Sequence, residues 1–142
     1  MFQSIIKENK LQIDSKEEVT YIVQSKDLAK ELSIDKQDDF PEVFATSRMI
    51  ALMELAAARL MKPLLKNDEL SVGVNVTVNH LAATPNNEEI KAIAIYKGME
   101  GKLYKFNVEL YDKGGKAGSG THTRAVVKTE RLVQGALSRV KT

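Results

Sequence analysis

The sequence contains no cysteine and no tryptophan, and only three of its 142 residues are proline. Without cysteine, the chain cannot form a disulfide framework, a Cys-ligated zinc site, an iron–sulfur cluster or a thiolate nucleophile. A reducing compartment is compatible with that absence. The length is sufficient for one domain that buries a real core without the help of metals or disulfides.

The chain also lacks a strong charge of either sign and a long apolar run. Its 21 basic residues nearly balance its 19 acidic residues, so we expect no nucleic-acid partner. The most apolar segment, residues 49–61, contains Glu54 and Arg59 and is shorter than the roughly 20 residues that span a bilayer. The apolar stretch at the start is too brief for a signal peptide. We therefore expect a cytoplasmic protein with no membrane partner.

Alternating polar and apolar residues predict five strands. They cover residues 17–24, Leu70 to Ala83, 89–96, 103–111 and 118–128, and the later ones are joined by short turns that contain glycine. In the second strand, alternation predicts that the valines and His80 share the face that packs on the helix, with Gly73 on the opposite face. The valines of that face are Val72, Val74, Val76 and Val78.

A single long helix lies between the first and second predicted strands. Thr46-Ser47 offers an N-cap, and the helix should run from about Ser47 to Lys62, ending before Pro63. The order of these elements, one strand, the helix and then four strands, predicts an α+β fold with an antiparallel five-stranded sheet wrapped around one long central helix. We assign residues 1–142 to one domain, with an irregular stretch at 1–16 and a tail at 132–142.

Glu54 is an acidic residue among apolar neighbours on this helix. The residues three and four positions away are Ile50, Ala51, Ala57 and Ala58, so no neighbour on the helix can pair with the carboxylate. A buried and unpaired carboxylate would cost several kcal/mol, which function can justify. The alternatives are that Glu54 faces solvent at the edge of the helix, or that a basic residue from the sheet neutralises it.

His80 and Thr46 are the other candidate site residues. A buried imidazole needs hydrogen-bond partners, which Glu54 or Thr46 could supply. Each residue also has a simpler interpretation, because His80 could be a core histidine and Thr46 only a helix cap. Thr46 and Glu54 are eight residues apart, about 12 Å along one helix, so a site that needs both is more easily assembled across a symmetric homodimer.

Several motifs in the same register resemble the fluoroacetyl-CoA thioesterase family of hot-dog proteins. The resemblance covers residues 17–131 and implies a hot-dog domain that hydrolyses a small acyl-CoA. It rests on the run from Phe40 to Thr46, Leu52-Met53-Glu54, Gly73, His80, the run from Ala82 to Pro85, the run from Gly118 to His122, and Arg124-Ala125.

The same resemblance implies the roles of individual residues. Thr46, Glu54 and His80 would be catalytic, while Phe40, Gly73 and Arg124 would line the substrate site. No cofactor or metal is implied, because CoA is part of the substrate. Gln37 replaces a second lid phenylalanine three residues before Phe40, so selectivity for the fluoroacetyl group does not carry over with the rest.

The residues leave the chemical route and two other functions open. His80 could act as a general base toward water or the Thr46 hydroxyl, and Glu54 could orient water or be the base or nucleophile itself. Backbone N–H groups at the helix start could hold the oxyanion. The hydroxyacyl-thioester dehydratases resemble a His-Phe-Pro pattern, but Asp39 stands here in place of that histidine, so His80 would have to substitute as the base. A non-enzymatic acyl-CoA-binding module would keep only the pocket.

Overall fold

The computed structural model describes residues 11–141, which form five strands and two helices. Two single-turn 3₁₀ segments lie between β1 and α1. The strands are β1 (Lys16–Ile22), β2 (Glu69–His80), β3 (Glu89–Glu100), β4 (Leu103–Asp112) and β5 (Gly115–Lys128), and the helices are α1 (Thr46–Met61) and α2 (Thr129–Arg139).

All five strands belong to one antiparallel sheet with the order β1-β3-β4-β5-β2. The glycine-containing turns allow β3, β4 and β5 to form consecutive hairpins. Strand β2 precedes these hairpins in sequence but pairs with β5, so β1 and β2 form the two edges of the sheet. This arrangement confirms the predicted fold class.

The core lies between α1 and the inner face of the sheet. One stripe of α1 is buried, and so are the alternate residues of β3 and β4 that face it, as expected for helical and strand periodicities meeting across one interface. The buried residues of these three elements include Met49, Met53, Ala56, Ala57, Met61, Ile90, Ala92, Ala94, Tyr96, Phe106, Val108 and Leu110. No helix among residues 11–141 is long and apolar enough to cross a membrane.

Several predicted elements begin or end at other residues than expected, and β1 and β2 end earlier, at Ile22 and His80, while β3 continues to Glu100 and β5 begins at Gly115. Helix α1 begins one residue earlier than expected, with Ala45 as its N-cap, and a 3₁₀ turn at Lys62–Leu64 accommodates Pro63 after its end. Much of the predicted tail at 132–142 belongs to α2, whose side chains face solvent. Of the predicted irregular stretch at 1–16, residues 1–10 lie outside the described residues, and β1 already begins at Lys16.

The prediction of which β2 residues face the helix is wrong for the residues before Asn75. The register with β5 shifts between Gly73 and Asn75, so Val74 is an extra residue and the alternation changes phase there. Gly73 pairs with Arg124, whereas Val76 and His80 pair with His122 and Gly118. Gly73 therefore faces α1 together with Val76, Val78 and His80, and Val74 is 53% exposed.

Candidate active site

Thr46 and His80 meet where the start of α1 lies beside the end of β2. The Thr46 Oγ1 and His80 Nδ1 atoms are 2.8 Å apart. Thr46 was predicted to cap the helix, but it is the first helical residue and Ala45 occupies the cap position. Because the hydroxyl does not cap the helix, it is available to the imidazole.

This pair opens onto a cleft of about 410 Å³ that is lined by both residues and by Pro41, Val43, Phe44 and residues 81–83. The second ring nitrogen of His80, Nε2, is buried and has no hydrogen-bond partner among residues 11–141. A buried polar nitrogen without a partner is costly, so a substrate group or a second protein surface would stabilise it.

Phe40, predicted to contact substrate, lies on the loop before α1. Its side chain is 42% exposed, and it immediately precedes Pro41, which lines the cleft. Gln37 is exposed on the same loop. Phe40 itself does not line the cleft in the structure.

Glu54 lies on the middle of α1 and is held by a residue of the sheet. Its Oε1 accepts a hydrogen bond from Arg124 at 3.0 Å, and its side chain is 42% exposed. Arg124 is almost fully buried and also donates from Nε to the Ser71 hydroxyl and from its second terminal nitrogen to the Ser71 carbonyl. Both alternatives weighed above are met in part, because the side chain is partly exposed to solvent and a basic residue of the sheet neutralises it.

Gly73 explains how the carboxylate approaches the sheet so closely. A Cβ atom at this position would overlap Glu54 Oε1 and would lie 3.2 Å from the His122 ring. The resemblance assigned this space to the substrate. In the structure, the Glu54 carboxylate occupies it.

His122 completes this cluster and was not identified as a site residue from the sequence. Its Nδ1 lies 2.8 Å from the Asn75 carbonyl oxygen, and its Nε2 lies 3.1 Å from an Arg124 nitrogen. The carbonyl can only accept and the guanidinium can only donate, so the proton is on Nδ1 and the ring is neutral. Burial lowers the pKa of His122, and the charge of Arg124 lowers it further, against the opposing effects of the Asn75 carbonyl and Glu54.

A signal for His122 was present in the sequence. His122 and Arg124 are two residues apart in a strand, so they share a face, and the resemblance had already placed Arg124 in the site. Any residue alternating with Arg124 on that face should have been a candidate.

Asp27 holds the start of α1 from behind the Thr46–His80 pair. Its side chain is fully buried and accepts hydrogen bonds from the Tyr21 hydroxyl, the Gln24 backbone N–H and Arg48 Nε. Its backbone carbonyl accepts from the N–H of Ala45, the residue before Thr46. Burial on its own raises the pKa of Asp27, but the hydrogen bonds from Tyr21, Gln24 and Arg48 outweigh it and the pKa is lowered.

The predicted site residues therefore form two groups within one chain. Thr46 contacts His80, and Glu54 contacts Arg124 beside Gly73. The eight-residue separation of Thr46 and Glu54 along α1 corresponds to about 12 Å. A larger open cleft of about 610 Å³, around Glu18, Lys91 and Tyr111, contains none of the predicted site residues.

Residues 23–130 match the family model described as fluoroacetyl-CoA-specific thioesterase. The chain belongs to this family. A curated member, the fluoroacetyl-CoA thioesterase of Streptantibioticus cattleyicolor, is 42% identical over 94 residues, which cover 66% of this chain and 68% of the relative. All of the motifs that carried the resemblance lie within the matched range.

Solved structures of the fluoroacetyl-CoA thioesterase FlK support the same assignment. One superposes with a TM-score of 0.84 at 33% identity and covers 94% of this chain and 98% of its own. A threonine-to-alanine mutant of FlK in complex with fluoroacetate gives a TM-score of 0.87 at 30% identity, covering 92% of this chain and 100% of its own. A hot-dog-like protein from Thermanaerovibrio acidaminovorans, at 19% identity and a TM-score of 0.81, shares the fold over 100% of this chain and 99% of its own.

The side chains of this family member suit acyl transfer. A hydroxyl against an imidazole is the arrangement in which a general base activates a nucleophile. The first backbone N–H groups of α1 have no acceptor within a helix and point toward the same end as Thr46. A carboxylate fixed by a guanidinium supplies a third polar group of defined orientation.

Proposed function

We propose that the protein is an acyl-CoA thioesterase that hydrolyses a small acyl thioester to the free acid and CoA. The observation that carries this proposal is the 2.8 Å contact between Thr46 and His80 at the mouth of a cleft, in a chain of the thioesterase family. The substrate is the only source of CoA, and no further cofactor is required.

In the mechanism that this contact favours, His80 is the general base and Thr46 the nucleophile. With the imidazole proton on Nε2, His80 Nδ1 accepts the proton of the Thr46 hydroxyl while Oγ1 attacks the thioester carbonyl carbon. The C–S bond then breaks and the CoA thiolate leaves with that proton. Water hydrolyses the resulting ester and regenerates Thr46, with the N–H groups at the start of α1 stabilising the oxyanion in both steps.

Glu54 orients the hydrolytic water in this proposal, and Arg124 fixes the carboxylate for that task. The buried bonds of Arg124 to Ser71 support a fixed position, because a guanidinium bound at three sites has little freedom to move. Phe40 and Gly73 complete the acyl site. Phe40 covers it from the loop, and Gly73 leaves room for the carboxylate.

We further propose that the active unit is a homodimer formed through β2. This strand is a twelve-residue edge with one side unpaired, and Leu70, Val74 and Val76 on it are 53%, 53% and 37% exposed. A long apolar edge favours pairing with a second strand. A two-fold axis at β2 would let the Thr46–His80 pair of one protomer work with Glu54 of the partner subunit. A cytoplasmic location, with which the absence of cysteine is compatible, is part of this proposal, and the near-neutral net charge gives no role to nucleic acid.

Glu54→Gln and His80→Ala test the catalytic assignment, with Glu100→Gln at the exposed end of β3 as the matched control. Thiol release from a panel of short, long and aryl acyl-CoAs should fall by orders of magnitude in the first two variants and stay unchanged in the control. Near-normal turnover by either site variant would refute the roles. Loss of water from hydroxyacyl-CoA without thiol release would indicate a dehydratase, and binding without turnover a non-enzymatic module.

A complementation experiment tests whether the site is shared. Thr46→Val and Glu54→Gln subunits are each inactive in this proposal, but a mixed dimer would contain one site with both residues intact. Random mixing should therefore restore roughly a quarter of wild-type activity. Light scattering on each protein checks for the dimer, and a monomer with full activity would overturn the shared site.

A further inference from the structure

A second cleft, of about 400 Å³, lies between the end of α1 and the start of β2. Its lining includes three cations, Arg59, Lys62 and Lys66, all on the exposed surface, and one carboxylate, Glu69. The Glu69 side chain accepts the backbone N–H of Lys66 at 3.0 Å. Apolar surface from Ala58, Leu65 and Leu70 completes the lining.

The three cations have no carboxylate partner in the part of the chain that the structure describes. The ion pairs there use other basic residues, such as Lys128 with Asp68 and Lys116 with Glu109. Three unpaired positive charges around one concave surface attract a multiply charged anion. The cleft near Ala82 and Ala83 offers a contrast, because Lys113 and Lys116 there are balanced by Glu88 and Asp112.

One residue of the cleft lining, Ser71, is also bonded to the Glu54 cluster. Ser71 lines the inner end of the cleft and accepts hydrogen bonds from Arg124, which binds Glu54. Arg59 follows Glu54 by five residues, about 7.5 Å along the helix axis. Five residues also turn about 140° around the helix, so the cleft lies to one side of Glu54, at a distance that the flexible pantetheine arm of a CoA thioester can span.

We propose that this cleft binds the 3′-phosphorylated adenosine diphosphate end of the CoA substrate. Arg59, Lys62 and Lys66 contact the phosphates, and Leu65 and Leu70 pack against the adenine. This inference rests on the proposed function for the identity of the anion. It adds that the residues that bind the nucleotide are distinct from the catalytic residues. They lie on the last turn of α1 and on the segment that follows it.

Kinetics with two thioesters test the site through the Arg59→Ala/Lys62→Ala/Lys66→Ala variant. For acetyl-CoA, we expect the KM to rise roughly 100-fold with little change in kcat, because these contacts are equal in the ground and transition states. For acetyl-pantetheine, which has no nucleotide, both constants should match the wild type. The matched control, Lys113→Ala, should leave both substrates unaffected, and an unchanged KM for acetyl-CoA in the triple variant would overturn the proposal.

A direct binding measurement separates this inference from the proposed function. Calorimetry with adenosine 3′,5′-bisphosphate should show binding to the wild type that weakens with added salt and is lost in the triple variant. If neither thioester is hydrolysed but the bisphosphate binds in this manner, the proposed function fails and the anion site stands. Equal bisphosphate binding by both proteins, or a triple variant that changes only the oligomeric state, would show that the cleft does not hold the nucleotide.

Discussion

The two polar clusters on α1 differ in what is exposed and what is buried. At the start of the helix, Thr46 and His80 open onto a cleft, and the charged residue behind them, Asp27, is fully buried. In the middle of the helix, Glu54 is 42% exposed, and its partner Arg124 is almost fully buried. In both places the group able to meet a substrate is accessible, while an ionic group that holds it in position is not.

The clusters also differ in how each is held. Arg124 acts directly on Glu54 through a hydrogen bond to the carboxylate. Asp27 acts on Thr46 only indirectly, because its backbone carbonyl accepts from the Ala45 N–H and its carboxylate accepts from Arg48 in the first turn of α1. Loss of Arg124 should therefore affect the chemistry first, and loss of Asp27 the stability first.

Arg124→Met should produce the largest effect. The side chain keeps similar bulk but loses the charge and the bonds to Glu54 and Ser71, so the carboxylate is no longer oriented. We expect hydrolysis of acetyl-CoA to fall about 10²- to 10³-fold, the size of effect seen when one oriented polar group is removed from an active site. Single-turnover rates of thiol release on protein shown to be folded by circular dichroism measure the loss.

Two further variants sharpen this comparison. Arg124→Lys keeps the charge but not the forked contacts with Ser71, so it should lie between the wild type and Arg124→Met. Arg124→Met combined with Glu54→Gln should be no slower than Glu54→Gln alone, since both changes remove the same oriented carboxylate. Additive losses in the double variant would show that Arg124 acts independently of Glu54.

Asp27→Asn should lower stability rather than the chemical step. The amide cannot accept from Tyr21, Gln24 and Arg48 as the carboxylate does, so at least one buried donor is left unsatisfied. We expect the free energy of unfolding to fall by about 2 kcal/mol, measured by urea titration, with a smaller change in kcat. Asp14→Asn, which alters an exposed pair with Lys97, should leave stability unchanged, and an equal loss in both variants would contradict the anchoring role.

Local pattern was sufficient to predict the class of fold. Alternation marked the five strands, and a continuous apolar stripe marked α1, because each element has to bury one face. The bulge at Val74 could not be predicted, since it depends on how β2 pairs with β5 and leaves no trace in the alternation of valines. The single-residue error at Thr46 has a similar origin, because Asp27 holds Ala45 in the cap position from a distant part of the chain.

The candidate site was predictable only where it followed from a motif or from strand periodicity. Thr46, Glu54, His80 and Arg124 came from motifs in register, but that Arg124 holds Glu54 came from the structure alone. Asp27 lay in a polar stretch that gave no reason to expect a buried carboxylate. Its burial depends on Tyr21 of β1 and Arg48 of α1, which both contact it in the fold. Contacts between residues this far apart in sequence cannot be predicted from local pattern.

The smallest expected effect concerns pH and the neutral His122 beside Arg124. Burial keeps the pKa of this imidazole below its ordinary value of 6.5 in the folded protein, so the unfolded chain binds a proton there that the folded chain does not. The associated stability is present above pH 6.5 and is lost as the pH falls from 6.5 toward the folded pKa. Urea titrations should show the wild type losing up to about 1 kcal/mol between pH 7 and 5.5 relative to His122→Gln, whose side chain does not titrate. All other ionisable groups are the same in both proteins and cancel in the difference, so parallel pH profiles would mean that the folded His122 accepts a proton as readily as the unfolded chain does.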